Sequence, residues 1–222
     1  MKILRNTMIV LALGLASSSC QDDFLSVKNV EAGVTVDDMY TRYSYAQGVI
    51  WEAYSYLPDG LSELWREAAT DVAEATSEGA NSQLFNLGIW NQFSNPDNPY
   101  AHYFKGIDQA NRYLANKDKV DIEYIMTNIT TSDSSAYYNA RNNIKFMEGE
   151  ANFLKAFFYF ELVKRYGGVP IIEVPLDYYN EAMWKNLQRN SLNECLNHIL
   201  VLCDRAAEII PQNTTTYSWY ED

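Results

Sequence analysis

Apolar residues recur at helical spacing through most of the chain, most clearly in residues 150–170. There Ala151, Leu154, Phe158 and Leu162 form one row and Phe153, Phe157 and Phe160 a second. The spacing predicts a central helix that needs cover on two faces. Gly167 can take the left-handed cap position, Gly168 adds a second flexible unit, and Val169-Pro170 cannot continue the helix. Lys164 and Arg165 fall in the last turn, where the helix dipole favours positive charge. The glycine pair reads as a stop signal rather than a phosphate loop, because no strand precedes it and no helix begins at it.

Other helices follow from the same periodicity. Thr35 with Asp38 makes a capping-box-like start to a helix over 36–57, whose stripe is Met39, Tyr43, Ala46, Ile50, Ala53 and Tyr54. Pro58-Asp59-Gly60 ends it as a turn, and a second helical piece over 61–74 turns Leu61, Leu64, Trp65, Ala68, Ala69 and Val72 inward. Residues 100–116 repeat Tyr103, Phe104, Ile107, Ala110, Asn111 and Leu114 at three and four. Asn111 is polar where burial is expected, so it should bond the backbone of a neighbouring loop. The central helix begins near Tyr138, after the polar stretch 127–135, and reaches Tyr166. Ser191 and Glu194 form a capping box for a last helix running to Ile210 before Pro211, with Leu192, Cys195, Leu196, Ile199, Leu202, Cys203 and Ala206 as its stripe. The pattern fails over 77–99, where loop-forming Gly, Asn and Pro interleave with Leu84, Phe85, Ile89, Trp90 and Phe93. Such a loop is either packed on its own side chains or functional. These elements predict an all-α, mainly helical fold with long loops.

The first twenty residues read as a targeting segment. Lys2 and Arg5 supply a positive region, residues 8–15 (MIVLALGL) a short apolar one, and Ala16 to Ser19 the small residues a signal peptidase needs. Eight apolar residues span about 12 Å as helix, far short of a bilayer core. Cys20 follows directly, which resembles a bacterial lipobox, with Ser17 where Leu is commonest; the other reading is a type I leader with Cys20 near the cut by chance. On the lipobox reading residues 1–19 are the signal peptide, Cys20 is acylated, and 20–34 form the lipidated N-terminus and tether. The domain proper is 35–222. Cys195 and Cys203 lie eight apart on one helix, too far for a disulfide, and read as small core residues.

Charge narrows the partners. The formal net charge is -12; without the leader, 15 basic against 29 acidic residues leave -14. Such a surface repels phosphate backbones, which excludes nucleic acid as a partner. No catalytic set assembles. His102 and His198 each stand on a helix without further ligands at metal spacing, and the chain has none of the phosphate-loop, dinucleotide, nucleophile-elbow or zinc-protease motifs. The expectation is therefore no catalytic residue, no metal and no cofactor. Carboxylate pairs such as Asp71 with Glu74 carry no weight among 29 acidic residues. Sugar binding asks for less: pyranose faces stack on Trp and Tyr while their hydroxyls bond Asn, Asp, Gln and Arg. Trp90, Phe93 and Tyr100 lie beside Asn91, Gln92, Asn95 and Asp97.

The stretch 150–170, EANFLKAFFYFELVKRYGGVP, resembles the signature helix of the SusD/RagB family of bacterial surface glycan-binding lipoproteins. Tyr103 (or Phe104 in a shifted register), Ile107, Ala110, Asn111 and Leu114, then Ser191, Glu194, Cys195, Cys203, Asp204, Ala206 and Ala207, match its further helices in the same order. The resemblance implies antiparallel helix pairs like tetratricopeptide repeats, and makes this chain an N-terminal portion, since family members continue further. It also implies an outer-membrane lipoprotein anchored through Cys20. Gln21-Asp22-Asp23 resembles the acidic export tag for outward display. The implied role is capture of oligosaccharide or polysaccharide for a SusC-like TonB-dependent transporter, with Trp90 and Asn91 as the glycan-binding positions carried over. The other reading is a helical-repeat scaffold without a sugar ligand. Stacked helical pairs need neighbours to bury their outer faces, so the chain by itself is expected to be less stable than a full-length relative and open to self-association.

Overall fold

The computed structural model describes residues 38–59, 64–91, 93–127, 134–177 and 179–210. The chain divides into two compact units, Met1–Met39 and Tyr40–Asp222, and the first contributes only Asp38 and Met39 to the described residues. The leader, Cys20, the tether and the Thr35 cap lie outside them, as do Gln92 and Tyr178.

Seven α-helices and no strand occur among the described residues. They are α1 (Tyr43–Tyr54), α2 (Asn81–Asn86), α3 (Tyr100–Asn116), α4 (Glu123–Thr127), α5 (Ser135–Tyr166), α6 (Glu181–Lys185) and α7 (Leu192–Ile209). The four long ones stack in chain order, each antiparallel to the next. Tyr40, just before α1, donates its hydroxyl to the Arg112 carbonyl near the end of α3 at 3.0 Å. Beyond the other end of α1, the Tyr56 ring meets His102 in the first turn of α3 at 5.1 Å. Tyr103 stacks over Phe158 at 5.8 Å, while Tyr113 donates to the Ile144 carbonyl at 2.8 Å, which reverses α5 against α3. Cys195 at the start of α7 bonds Val169 just past α5, and Ile210 at its far end abuts Gly149. This is the tetratricopeptide-like pairing expected of the fold. Its core holds Ile107, Leu154, Phe158, Leu162, Cys195 and Leu202.

Several expectations shift. Helix α1 starts at Tyr43 rather than at 36, because burying Tyr40 in the core forces a break: Asp38–Tyr40 is a single 3-10 turn and Arg42 is extended. Tyr54, expected inward on α1, is exposed. Of the second helix expected over 61–74, the described residues hold only a 3-10 segment, Leu64–Ala69, and Val72 is exposed. The second aromatic row of α5 is covered only at Phe157, which packs against the core. α3 and α7 occupy the flanks adjoining the Ala151/Phe158 row, and Phe153 and Phe160 stay exposed. On α7, Leu192 and Leu196 are likewise exposed while Cys195, Leu202 and Ala206 are buried.

The exit from α5 behaves as a stop, with one difference in conformation. Gly167 has φ 71° and ψ -138°, a positive-φ region that glycine alone occupies readily, rather than the left-handed helical one. Its N–H still closes the helix on the Val163 carbonyl at 3.0 Å. A Cβ on Gly168 would run into the Asn190 carbonyl oxygen, so glycine there permits two backbone segments to cross. They are tied by Asn190 N–H to the Val169 carbonyl at 3.2 Å and by Ile171 N–H to Asn190 Oδ1 at 3.0 Å. The extended run that follows is held from α3 and α5. Asn111 Nδ2 donates to the Ile172 and Val174 carbonyls at 2.9 and 3.3 Å, the loop-bonding role expected of it. Asp108 Oδ1 accepts from Leu176 N–H at 2.7 Å, and the Tyr159 hydroxyl accepts from Ile172 N–H at 2.7 Å.

Candidate functional site

The loop between α2 and α3 is partly packed and partly presented. Leu84 and Phe85 on α2 are half-buried, and Phe85 holds the Trp90 ring at 5.4 Å. Gly88, at φ 67°, turns the chain outward, after which Trp90 is 49% and Phe93 90% exposed. Asn91 organises the tip. Its Oδ1 accepts from the N–H groups of Phe93 and Ser94 at 2.9 and 3.2 Å, and its Nδ2 donates to the Ile89 carbonyl at 3.2 Å. A two-way backbone bridge between Asn91 and Ser94 closes the turn. Thus the side chain expected to bind sugar hydroxyls is engaged in holding the turn that displays Trp90.

The base of the loop is bolted to the end of α5. Asp97 accepts from Arg66 Nη2 at 3.1 Å and from Arg165 Nε at 3.0 Å. Arg165 Nη1 also donates to Glu161 Oε2 at 2.7 Å, and Lys164 donates to Glu161 Oε1 at 2.5 Å. Burial alone would raise the Glu161 carboxyl; the hydrogen bonds from Lys164 and Arg165 outweigh it and leave its pKa below the ordinary value. Burial would lower Arg165, and its two carboxylate partners raise it instead. Tyr166 donates to Asn98 Oδ1 at 2.6 Å, and Asn95 Oδ1 accepts from Asp97 N–H at 3.0 Å. Asp97 and Asn95, both candidates for sugar hydroxyls in the sequence, are therefore structural ties. Tyr100 belongs elsewhere too. Its ring packs on Phe104 at 4.7 Å and Tyr166 at 5.1 Å, and lines a mainly apolar cavity of about 440 Å³ with Phe104, Lys105, Pro170 and Ile172. Of the sequence-derived platform, the described structure leaves Trp90 and Phe93 outward-facing; Gln92 and Cys20 lie outside the described residues.

Two histidines sit in structural roles. His102 Nε2 lies 3.0 Å from the Tyr56 carbonyl, and its ring is edge-on to Tyr56 and Tyr103. His198 packs edge-on to Tyr159 at 5.1 Å, with Nδ1 3.7 Å from Glu173. Beside it is a group the periodicity alone did not single out: Lys155 is only 2% exposed, and burial pulls its amine down to about 8. The signal was present, since Lys155 falls four residues after Ala151 on the buried row. Both Cys195 and Cys203 are free thiols. Among the described residues no group of three or more His, Cys, Asp or Glu side chains could hold a metal ion, and no helix is long and apolar enough to cross a membrane.

A family model described as SusD-like, starch-binding associating with outer membrane, matches residues 23–220. No curated protein matches. The fold is similar to the crystal structure of a SusD-like protein from Bacteroides fragilis NCTC 9343, at 23% identity and TM-score 0.56 over 80% of this chain and 31% of that one. It is also similar to a laminarin-binding SusD-like protein, at 20% identity and TM-score 0.57 over 78% of this chain and 35% of that one. The chain spans about a third of the length of these solved relatives. With the family model covering nearly all of it and the antiparallel helical stack in place, the chain belongs to the SusD-like family.

Proposed function

We propose that the chain binds oligosaccharide or polysaccharide at the cell surface for delivery to a SusC-like TonB-dependent transporter. Acyl chains on Cys20 would hold it to the outer membrane, and two or more make such anchoring stable. The observation that carries this reading is the pair of outward aromatic faces, Trp90 and Phe93, on a turn that the Asn91 side chain ties together and whose base is fixed by Asp97. A rigid, solvent-facing indole suits stacking against the apolar face of a pyranose, because little order has to be imposed on binding. Family membership and the laminarin-binding relative support a glycan as the ligand. Binding of this kind needs no shifted pKa and no bond-making residue in the chain.

Affinity electrophoresis in gels containing laminarin, starch or other glucans tests the reading. Retardation by at least one glucan is expected, and Trp90→Ala should reduce it. Losing one buried aromatic contact costs about 1.5–3 kcal/mol, roughly tenfold or more in Kd. Mobility unchanged across glucans, together with co-purification of a barrel protein, would favour the scaffold reading.

A further inference from the structure

Apart from the aromatic loop, the described residues form a cavity of about 440 Å³, within the roughly 300–1,000 Å³ of small-molecule sites. Tyr100 and Phe104 from the first turns of α3 line it, with Pro170 and Ile172 from the extended run after α5 and Leu187 from the segment after α6. Among its lining side chains only Lys105 is charged, and the Tyr100 hydroxyl is the one other polar group. Lys105 also lines a second cavity of about 240 Å³, which it shares with Tyr56, Asp108, Gln109 and Arg112. An apolar chamber and a polar one therefore meet at a lysine.

The charge at that junction is unbalanced. Asp108 is already engaged: its Oδ2 accepts from Arg112 Nε at 2.8 Å and its Oδ1 from Leu176 N–H at 2.7 Å. Lys105 is exposed and makes no hydrogen bond or ion pair among the described residues. Two cations against one carboxylate leave the polar chamber positive, in a chain whose net charge is -12. An anion is drawn to this place while the chain as a whole repels it. The apolar walls narrow the choice of anion. A pyranose would set its hydroxyls against side chains that cannot pair with them, a costly burial. An aromatic ring meets Tyr100 and Phe104, whose own rings pack at 4.7 Å and 49°, and has no polar group to desolvate. We propose that the two chambers bind a small amphipathic carboxylate, its aryl body against Tyr100, Phe104 and Pro170 and its carboxylate on the Lys105 ammonium. This site stands apart from the glycan reading and does not depend on it.

Calorimetric titration of the full chain with phenylpropanoate, and with its uncharged counterpart phenylpropanol, tests the site. Saturable binding of phenylpropanoate is expected at millimolar concentration or below. Lys105→Met keeps the side-chain stem at an exposed position and removes only the charge. It should weaken phenylpropanoate about fivefold, near the upper end for an exposed ion pair, and leave phenylpropanol unchanged. Ala101→Trp supplies a second variant. Ala101 is an exposed wall residue in the first turn of α3, so the indole should fill the cavity and abolish binding of both compounds while the circular dichroism stays that of the parent. Glucuronate, which carries its carboxylate on a pyranose, should bind more weakly than phenylpropanoate. No saturable heat with phenylpropanoate, equal affinity in Lys105→Met, undiminished binding in Ala101→Trp, or tighter binding of glucuronate would overturn the proposal.

Discussion

Lys155 lies on the buried row of α5, and the groups around its amine are Glu173 on the following loop with His198 and Arg205 on α7. Burial depresses the amine; Glu173 raises it and Arg205 lowers it further. The unfolded chain holds this proton up to the ordinary lysine value near 10.5, whereas the folded chain releases it near 8. Between those values the unfolded state binds more protons, so this residue makes stability rise with pH, by on the order of 3 kcal/mol across the interval. Lys155→Met, of similar length and without the charge, should be more stable than the parent at pH 7. Its advantage should shrink toward pH 10, as read from urea midpoints at the two pH values. An advantage independent of pH would count against the assignment. His198 has the same sense at lower pH. Burial lowers its pKa first, Glu173 opposes and the neighbouring cations add, so protonation as pH falls below the ordinary histidine range works against the fold.

At the level of elements, the signature helix does more than fill the core. Its last two turns supply Glu161, Lys164, Arg165 and Tyr166, and three of these run in one network to Asp97 at the base of the aromatic loop. Asp97→Ala would leave Arg165, whose side chain is largely buried, without one of its two carboxylates, and would release Arg66 from the loop. The expected cost is about 1.5–3 kcal/mol, the range for hydrogen bonds to charged groups. The loss should be local. Protease cleavage within 87–97 should accelerate while amide exchange in the middle of α5 changes little. Uniform acceleration across the chain would show that the network supports the whole stack instead. Little of this was legible in the sequence. Asp97 and Arg165 are 68 residues apart, and the residue types that tie a loop are those that bind a sugar hydroxyl. Element type was far more legible, because α3 and α7 each carry a long amphipathic period and α5 two apolar rows at helical spacing, with a recognisable stop after α5 and a recognisable start to α7. The failures came in short segments: the piece at Leu64–Ala69 has too few turns for periodicity to separate an α-helix from a 3-10 turn.

For the whole molecule, exposed apolar side chains such as Phe153 and Phe160 bear on how stability is measured. If chains associate through them, folding is linked to association, and the midpoint of thermal unfolding should climb as protein concentration increases. A sharp midpoint that does not move with concentration would identify a self-sufficient monomer. Sequence alone determined the helical class, the order of the long helices, the stop at Gly167-Gly168, the capping box at Ser191 and the family, because each rests on local periodicity or on residue types adjacent in the chain. Only tertiary structure decided which apolar row is buried. Ala151/Phe158 and Phe153/Phe160 are equally apolar, and the choice depends on where α3 and α7 lie. Tertiary structure likewise decided that Asn91 and Asp97 hold the loop while Trp90 and Phe93 face outward, since a side chain's role follows from the groups that distant segments bring within hydrogen-bonding reach.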